Sequence, residues 1–286
     1  MERSIRILLV FFIIALVFGT IVSNNTRKDI VGQWPDDGNY YMKSNSYHGY
    51  FVNEQAHIQL ALVQIHKNSK KSKPLEYRSF YLISEQGEIE ARTGNFILGE
   101  GQKEYSLYTL ELFLPNLSQG YYEINKLKLV DNKNNETVYD IGDWTLEIKK
   151  GEESKDIRTG KTLLMTSGFD SYSTELINLT NKQIMIGDLF FKLKDKEYLI
   201  KAEKGKDFDM QEERSVDMNL EPGDKRGFRY SFSAKDNSDI NVCEFISIKP
   251  FIKYYIDNKE YETSLPAAIY SPCVTEETIQ YLINEL

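Results

Sequence analysis

Histidine and cysteine are scarce in this chain of 286 residues, with three of the first and two of the second. The histidines are His48, His57 and His66. His57 and His66 stand an odd number of residues apart on one strand pattern, so they face opposite sides and cannot share a metal. Cys243 and Cys273 are too far apart for a redox C-x-x-C pair and have no histidine cluster beside them. G-x-S-x-G, H-E-x-x-H, phosphate-loop and dinucleotide patterns are all missing. No catalytic residue, cofactor or metal is therefore expected. A surplus of positive charge is lacking as well. The net charge is −8, whereas a nucleic-acid partner calls for a basic face. Proline is sparse too, at seven, while Tyr and Phe number 19 and 15. That balance excludes a disordered chain and predicts a packed, strand-rich one.

Charge is also absent from one long run, Ile7 to Val22, which is rich in Ile, Leu, Val and Phe. As a helix it would span about 24 Å, close to the apolar thickness of a bilayer. Arg3 and Arg6 precede it. It is longer than the apolar part of an ordinary cleaved leader. The expectation is an uncleaved, single-pass membrane anchor over residues 1–28 with the C-terminal region outside. Secretion after signal cleavage is the alternative. In an exported chain Cys243 and Cys273 read as one disulfide, with two separate buried thiols as the other possibility. Abundant Lys, Asn, Ile and Tyr fit an AT-rich bacterial genome, so the N-x-S/T matches at Asn24, Asn116, Asn135 and Asn178 are discounted as glycosylation sites.

After the run, residues 29–51 form a transition segment with a turn at Asp36 to Asn39 and a cluster of rings: Tyr40, Tyr41, Tyr47, Tyr50 and Phe51. Tyrosine suits surfaces that are both apolar and hydrogen-bonding. The cluster is thus a candidate binding patch, its alternative being the start of the first core. Alternating segments follow. Gln55 to His66 puts Ile58, Leu60 and Leu62 on one face, and further strands reach Ile148, with turns at Gln86-Gly87, Pro115 to Gly120 and Asp131 to Asn135. The charged stretch Lys149 to Lys161 looks like a boundary. The predicted order is a first β-sandwich at 29–150, a linker at 151–161 and a second sandwich at 162–286. Thr275 to Leu286 carries Ile279, Leu282, Ile283 and Leu286 at helical spacing behind an N-cap Thr, predicting a short amphipathic helix packed on the second sandwich.

In the second half, Asn178-Leu179-Thr180-Asn181 precedes an apolar strand, and Leu220-Glu221-Pro222-Gly223 precedes an alternating Phe strand. These turns resemble those of small bacterial extracellular immunoglobulin-like domains over roughly Phe169 to Leu265. The resemblance implies an all-β exported sandwich, often without a catalytic site, and names no ligand. The function expected is a tethered or exported envelope protein that binds or supports another envelope protein or cell-wall component, with no nucleic acid. The alternative is an exported hydrolase with acids gathered from distant strands; Glu88 with Glu90 and Asp140 with Asp143 are the nearest acid pairs.

Overall fold

The computed structural model describes residues 36–66, 75–101, 104–162, 165–166, 169–194, 198–203, 218–234 and 245–271, together with 279 and 283. Among them lie twenty strands. The first half holds β1 (Gly38–Tyr41), β2 (Ser44–Phe51), β3 (His57–Ile65), β4 (Tyr77–Ser84), β5 (Gly87–Glu90), β6 (Thr93–Gly101), β7 (Tyr105–Phe113), β8 (Gly120–Asp131) and β9 (Glu136–Lys149). The second holds β10 (Ile157–Thr162), β11 (Met165–Thr166), β12 (Ser171–Asn178), β13 (Ile184–Phe190), β14 (Tyr198–Glu203), β15 (Asn219–Leu220) and β16 (Lys225–Ala234). It ends with β17 (Phe245–Lys249), β18 (Phe251–Ile256), β19 (Lys259–Ser264) and β20 (Ala268–Tyr270). They form four sheets. Sheet I runs β1-β3-β7-β6, and sheet II has eight strands in the order β11-β20-β17-β2-β9-β8-β4-β5. Sheet III runs β10-β12-β16-β14 and sheet IV β15-β13-β18-β19.

The first sandwich follows from alternation. Ile58, Leu60 and Leu62 of β3, with Leu110 and Leu112 of β7, point across to Leu82, Leu127, Leu129, Trp144 and Leu146 of sheet II. All are at most 2% exposed. Each such side chain contributes about 1.5–3 kcal/mol on leaving water. Gly94 of β6 lies where the sheets press closest, since a Cβ there would sit 2.7 Å from the Phe80 ring.

The two halves are joined through β2. It pairs in parallel with β9 over Ser44 to Phe51 and in parallel with β17 over Ser44 to His48. All eight of its residues are buried. Successive side chains of a strand point to opposite faces, and here each face feeds a different core. Tyr50 enters the first core, while Tyr47 and Phe51 enter the second, among Tyr172, Phe228, Tyr230, Ile248 and Phe251. Gly49 is the contact point, because a Cβ there would lie 2.3 Å from the Phe251 ring. The sandwich predicted at 162–286 thus draws core residues from within 29–150. The stretch 151–161 is a free linker only in part, since β10 begins at Ile157, which is 6% exposed.

The β17–β20 and β18–β19 pairs form one long hairpin that passes from sheet II to sheet IV. Pro250 and Pro266 sit at the crossing, where a missing N–H breaks the ladder at no cost to pairing. Leu265 N–H donates to the Pro250 carbonyl at 2.9 Å. The tip is Asp257-Asn258, both at positive φ (50° and 61°), as a tight hairpin turn requires.

The two turns that carried the immunoglobulin-like resemblance meet in space. Asn178 is 1% exposed. Its Nδ2 donates to the carbonyls of Lys182 (2.7 Å), Leu220 (2.9 Å) and Glu221 (3.1 Å), and its Oδ1 accepts from Thr180 N–H at 2.8 Å. One amide therefore fastens both loops, and its burial agrees with discounting Asn178 as a glycan acceptor. Asn178→Ala is expected to destabilise the protein by about 3 kcal/mol, because several buried backbone groups lose their partner. Urea unfolding measures it, and a change under about 1 kcal/mol would show that the loops hold without the amide.

Ile279 and Ile283 are the described residues of the C-terminal segment. They are 1% and 3% exposed and cluster with Met42, Val63, Ile65 and Tyr105 on the outer face of sheet I. The segment expected on the second sandwich thus has these two residues against the first, where Val63 and Ile65 leave an apolar face to cover. Cys243, Cys273 and the apolar run Ile7 to Val22 lie outside the described residues. Among the described residues no helix is long and apolar enough to cross a membrane.

Candidate functional site

The aromatic cluster expected as a binding patch is mostly interior. Tyr41, Tyr47, Tyr50 and Phe51 are 2%, 1%, 2% and 5% exposed. They are divided between the two cores, and only Tyr40 keeps an edge to solvent. For Tyr47, Tyr50 and Phe51 the physical reason is the position of β2 in the middle of sheet II, where neither face is free; Tyr41, the last residue of β1, turns into the first core.

His48 of β2 is buried with them. Its Nε2 lies 2.8 Å from Ser247 Oγ and its Nδ1 3.3 Å from Tyr50 Oη, and its ring meets Trp144 edge-on at 5.3 Å. Burial, then the nearby Lys249 ammonium, pushes its pKa down to about 3. Lys249 pairs with Glu54 at 2.7 Å and donates to the Gly49 carbonyl at 3.1 Å. The folded protein therefore holds His48 neutral, while the unfolded chain protonates it near its ordinary pKa of about 6.5. Below that point the unfolded state binds the extra proton, so stability falls with pH between about 6.5 and about 3, by up to about 1.4 kcal/mol per unit. Urea midpoints across pH 7 to 4 are expected to show this slope, and His48→Gln is expected to flatten it.

Three of the exposed large apolar side chains, Met185, Phe190 and Tyr121, lie where the outer face of sheet IV meets that of sheet II. On sheet IV, Met185 of β13 stands opposite Tyr255 of β18, and Phe190 follows on β13. Met185 is 45% and Phe190 36% exposed. Lys253 Nζ lies 5.3 Å from the centre of the Phe190 ring and 2.6 Å from Glu260 Oε1. Tyr255 donates its hydroxyl to the other oxygen of Glu260 at 3.1 Å. Alternation places Glu262 beside Glu260 on β19, opposite Lys253. Glu262 binds Lys149 of β9, whose ammonium stands 4.1 Å from the centre of the Phe251 ring. Lys149 also faces Glu147 at 3.7 Å. Glu147 accepts from the buried Tyr47 hydroxyl and, at 2.8 Å, from Tyr121 of β8, which is 58% exposed.

The result is a strip from Met185 and Tyr255 to Tyr121 that crosses the seam of the two sandwiches. Donation to Glu147 holds the Tyr121 pKa up at about 12. Donation to Glu260 raises that of Tyr255, and the Lys253 and Tyr255 donors lower that of Glu260. Each carboxylate of the strip thus has a lysine or tyrosine partner, and charge-assisted hydrogen bonds fix the Tyr121 and Tyr255 rings in place. Such a surface offers apolar ring area with polar edges. The sequence gives little sign of it, because Met185, Tyr255 and Tyr121 come from three separate strands.

A second feature is a cleft of about 200 Å³ beside a bulge in β8 and β9, lined by Glu85, Glu123, Lys126, Asp143, Thr145 and Lys194. Asp143 is paired with Lys194 at 2.7 Å. The acids noted in sequence take separate partners. Asp140 binds Lys43 at 3.0 Å, Glu88 binds Lys128 at 2.6 Å and Glu90 accepts from Tyr81 at 3.1 Å.

No protein-family model and no curated protein matches the chain. Among solved structures it is similar to the D00-D0 domain of intimin, at 10% identity and a TM-score of 0.21, over 81% of this chain and 98% of that one. It is also similar to fibronectin(III)-like modules of CbhA from Clostridium thermocellum, at 7% identity and a TM-score of 0.20, over 82% and 95%. The Ig1-2 module of the Drosophila receptor protein tyrosine phosphatase DLAR gives 8% identity and 0.23, over 82% and 97%. The likeness is one of fold alone, to immunoglobulin-like and fibronectin-III-like sandwiches.

Proposed function

We propose that this protein is a non-catalytic binding module of the bacterial cell envelope, tethered by Ile7 to Val22, which meets an envelope protein or cell-wall component through the Met185–Tyr255–Tyr121 strip. The observation that supports it most is the set of rings, Tyr121 and Phe190 exposed and Tyr255 half-buried, that lie among paired charges across both sandwiches. Binding surfaces favour tyrosine because it adds contact area at little entropic cost, and pre-set side chains lose less freedom on association. The uncharged run supports the tether, with the basic Arg3 and Arg6 before it. Protease added to intact, wall-stripped cells is expected to digest the bulk of the chain.

Capture from the protein's own membranes tests the surface. The triple change Tyr121→Ala, Phe190→Ala, Tyr255→Ala is expected to lower partner capture by about tenfold or more and to leave the melting temperature within about 4 °C. Undiminished capture overturns the strip as the contact. The hydrolase reading has one feature in its favour, the acids of the cleft. Turnover of a substrate that is lost in Asp143→Asn or Glu123→Gln would establish it in place of the binding module.

A further inference from the structure

The bulge beside the cleft interrupts an otherwise regular pairing of β8 with β9. Their register runs through Glu123–Thr145 to Ile124–Trp144 and resumes at Lys126–Asp140, which leaves over Asn125 on β8 and Ile141 to Asp143 on β9. A bulge turns side chains out of the ordinary alternation. Asn125 and Lys126 are both exposed here, although they are sequence neighbours. The far wall comes from the second half of the chain and is fixed. Asn45 Nδ2 donates to the Lys194 carbonyl at 3.1 Å, Lys194 N–H donates to Asn45 Oδ1 at 3.3 Å, and Lys194 Nζ holds Asp143. Gly142 of the bulge packs directly on the Ser44 backbone. The cleft of about 200 Å³ is therefore formed before any ligand arrives.

Its chemistry differs from that of the strip. Glu147, Glu260 and Glu262 each have a lysine or tyrosine partner. In the cleft, Glu85, Glu123, Asn125 and Thr145 make no side-chain hydrogen bond or ion pair with another described residue. They offer carboxylate acceptors, an amide that donates and accepts, and a hydroxyl that does both, and Lys126 adds a donor. Adjacent hydroxyl groups of a ligand, each donor and acceptor at once, match such a set, whereas an apolar side chain does not. Addition of a peptide as a strand is disfavoured, because β8 and β9 have neighbours on both edges. With Asp143, three acids face two lysines, which disfavours an anion. The same face continues to Tyr121, two residues before Glu123 on the exposed side of β8, and thus about 7 Å along the strand. The Tyr121 hydroxyl is held by Glu147 while its ring stays open to solvent. The face of an aromatic ring is electron-rich and attracts the polarised C–H groups of a sugar ring. We propose that the cleft binds one sugar unit of an uncharged glycan chain and that Tyr121 stacks on a neighbouring unit. This rests on the reading of Tyr121 as part of the contact surface and names the cell-wall component as a glycan.

Titration calorimetry of the full chain, in micelles of a detergent without a sugar headgroup, tests the cleft. The probes are the β-linked tetrasaccharides of glucose, N-acetylglucosamine and mannose. At least one is expected to bind. Glu123→Ala and Tyr121→Ala, both at exposed positions, are each expected to raise its Kd by about tenfold, and unchanged melting temperatures would show that both variants are folded. Tetragalacturonate, which carries a carboxylate on each ring, is expected to bind at least about tenfold more weakly than the best neutral probe. Failure of all three neutral probes to bind overturns the proposal. So does binding that both variants leave unchanged, and so does tetragalacturonate binding as tightly as the neutral probe. The strip reading fails separately. Capture lost in the triple change while no neutral probe binds keeps the strip as a contact for a protein and overturns the glycan site. A probe that binds through Glu123 and Tyr121 while the triple change leaves capture undiminished supports the glycan site and overturns the strip as the membrane contact.

Discussion

Made as separate chains, residues 29–150 and 151–286 are expected to lack a native fold. The second fragment would lose Tyr47 and Phe51 from its core and the whole β2 partner of β17. Phe251, which is 0% exposed, would lose the Gly49 surface it rests on. Lys249 would lose Glu54. Two buried aromatic side chains alone contribute about 3–6 kcal/mol. That loss alone reaches the lower end of the entire stability of a typical domain, about 5–15 kcal/mol. The first fragment would expose the outer face of β2 to water. Cutting the intact protein at the exposed residues 151–153 is a different case. Both pieces are then expected to elute together from a sizing column until denaturant is added. A cooperative unfolding transition from the second fragment on its own would defeat the idea of a shared strand.

A single methyl group at Gly142 is expected to have the next largest effect. Gly142 has φ +79°, and a Cβ there would lie 2.3 Å from the carbonyl oxygen and 2.5 Å from the nitrogen of Ser44. These are backbone atoms of β2 at the first register pair with β9, so no side-chain rotation can relieve the clash. The residue stands where the β8–β9 ladder slips, and Asp140 Oδ1 holds its N–H at 3.0 Å. Gly142→Ala is therefore expected to cost about 3–5 kcal/mol, from a left-handed backbone carrying a side chain and from overpacking. Gly223→Ala provides the comparison. Its φ is +78°, and nothing lies within 4 Å of its added Cβ, so only the backbone part, about 1 kcal/mol, is expected. Equal losses for the two in urea unfolding would mean that β2 and β9 can move apart freely.

The alternating strands are legible in the sequence because each buries one face. β3, β7, β8 and β9 read directly from their apolar periods, and the turns at Gly87, Asn134, Gly223 and Asp257-Asn258 read from residues that tolerate positive φ. The most buried strand was the hardest to see. Ser44 to Phe51 has no alternation, since both faces are covered, and its polar groups suggest a loop. The structure satisfies them one by one. Asn45 exchanges hydrogen bonds with the Lys194 backbone, Ser46 bonds Ser44, and His48 bonds Ser247. Those partners lie up to about 200 residues away, beyond any local pattern. The same blindness hid the seam, because a cut placed by composition at 149–161 ignores a strand that pairs across it. The exposed strip was unreadable for a related reason. Its members are neighbours only after sheets II and IV meet.

The parallel pairing of β2 sets how the molecule bears load. A pull directed along β2 from its N-terminal end does not open its hydrogen bonds one after another, as peeling a hairpin does. It strains the eight register pairs with β9 and the five with β17 together, in shear. The side chains of Tyr47 and Phe51 would have to plough through one core while Tyr50 ploughs through the other. Tension delivered through the chain ahead of β1 thus ends at the strand most tightly gripped on both edges and both faces. β1, with only four residues paired to β3, is the part that gives way first and takes up slack.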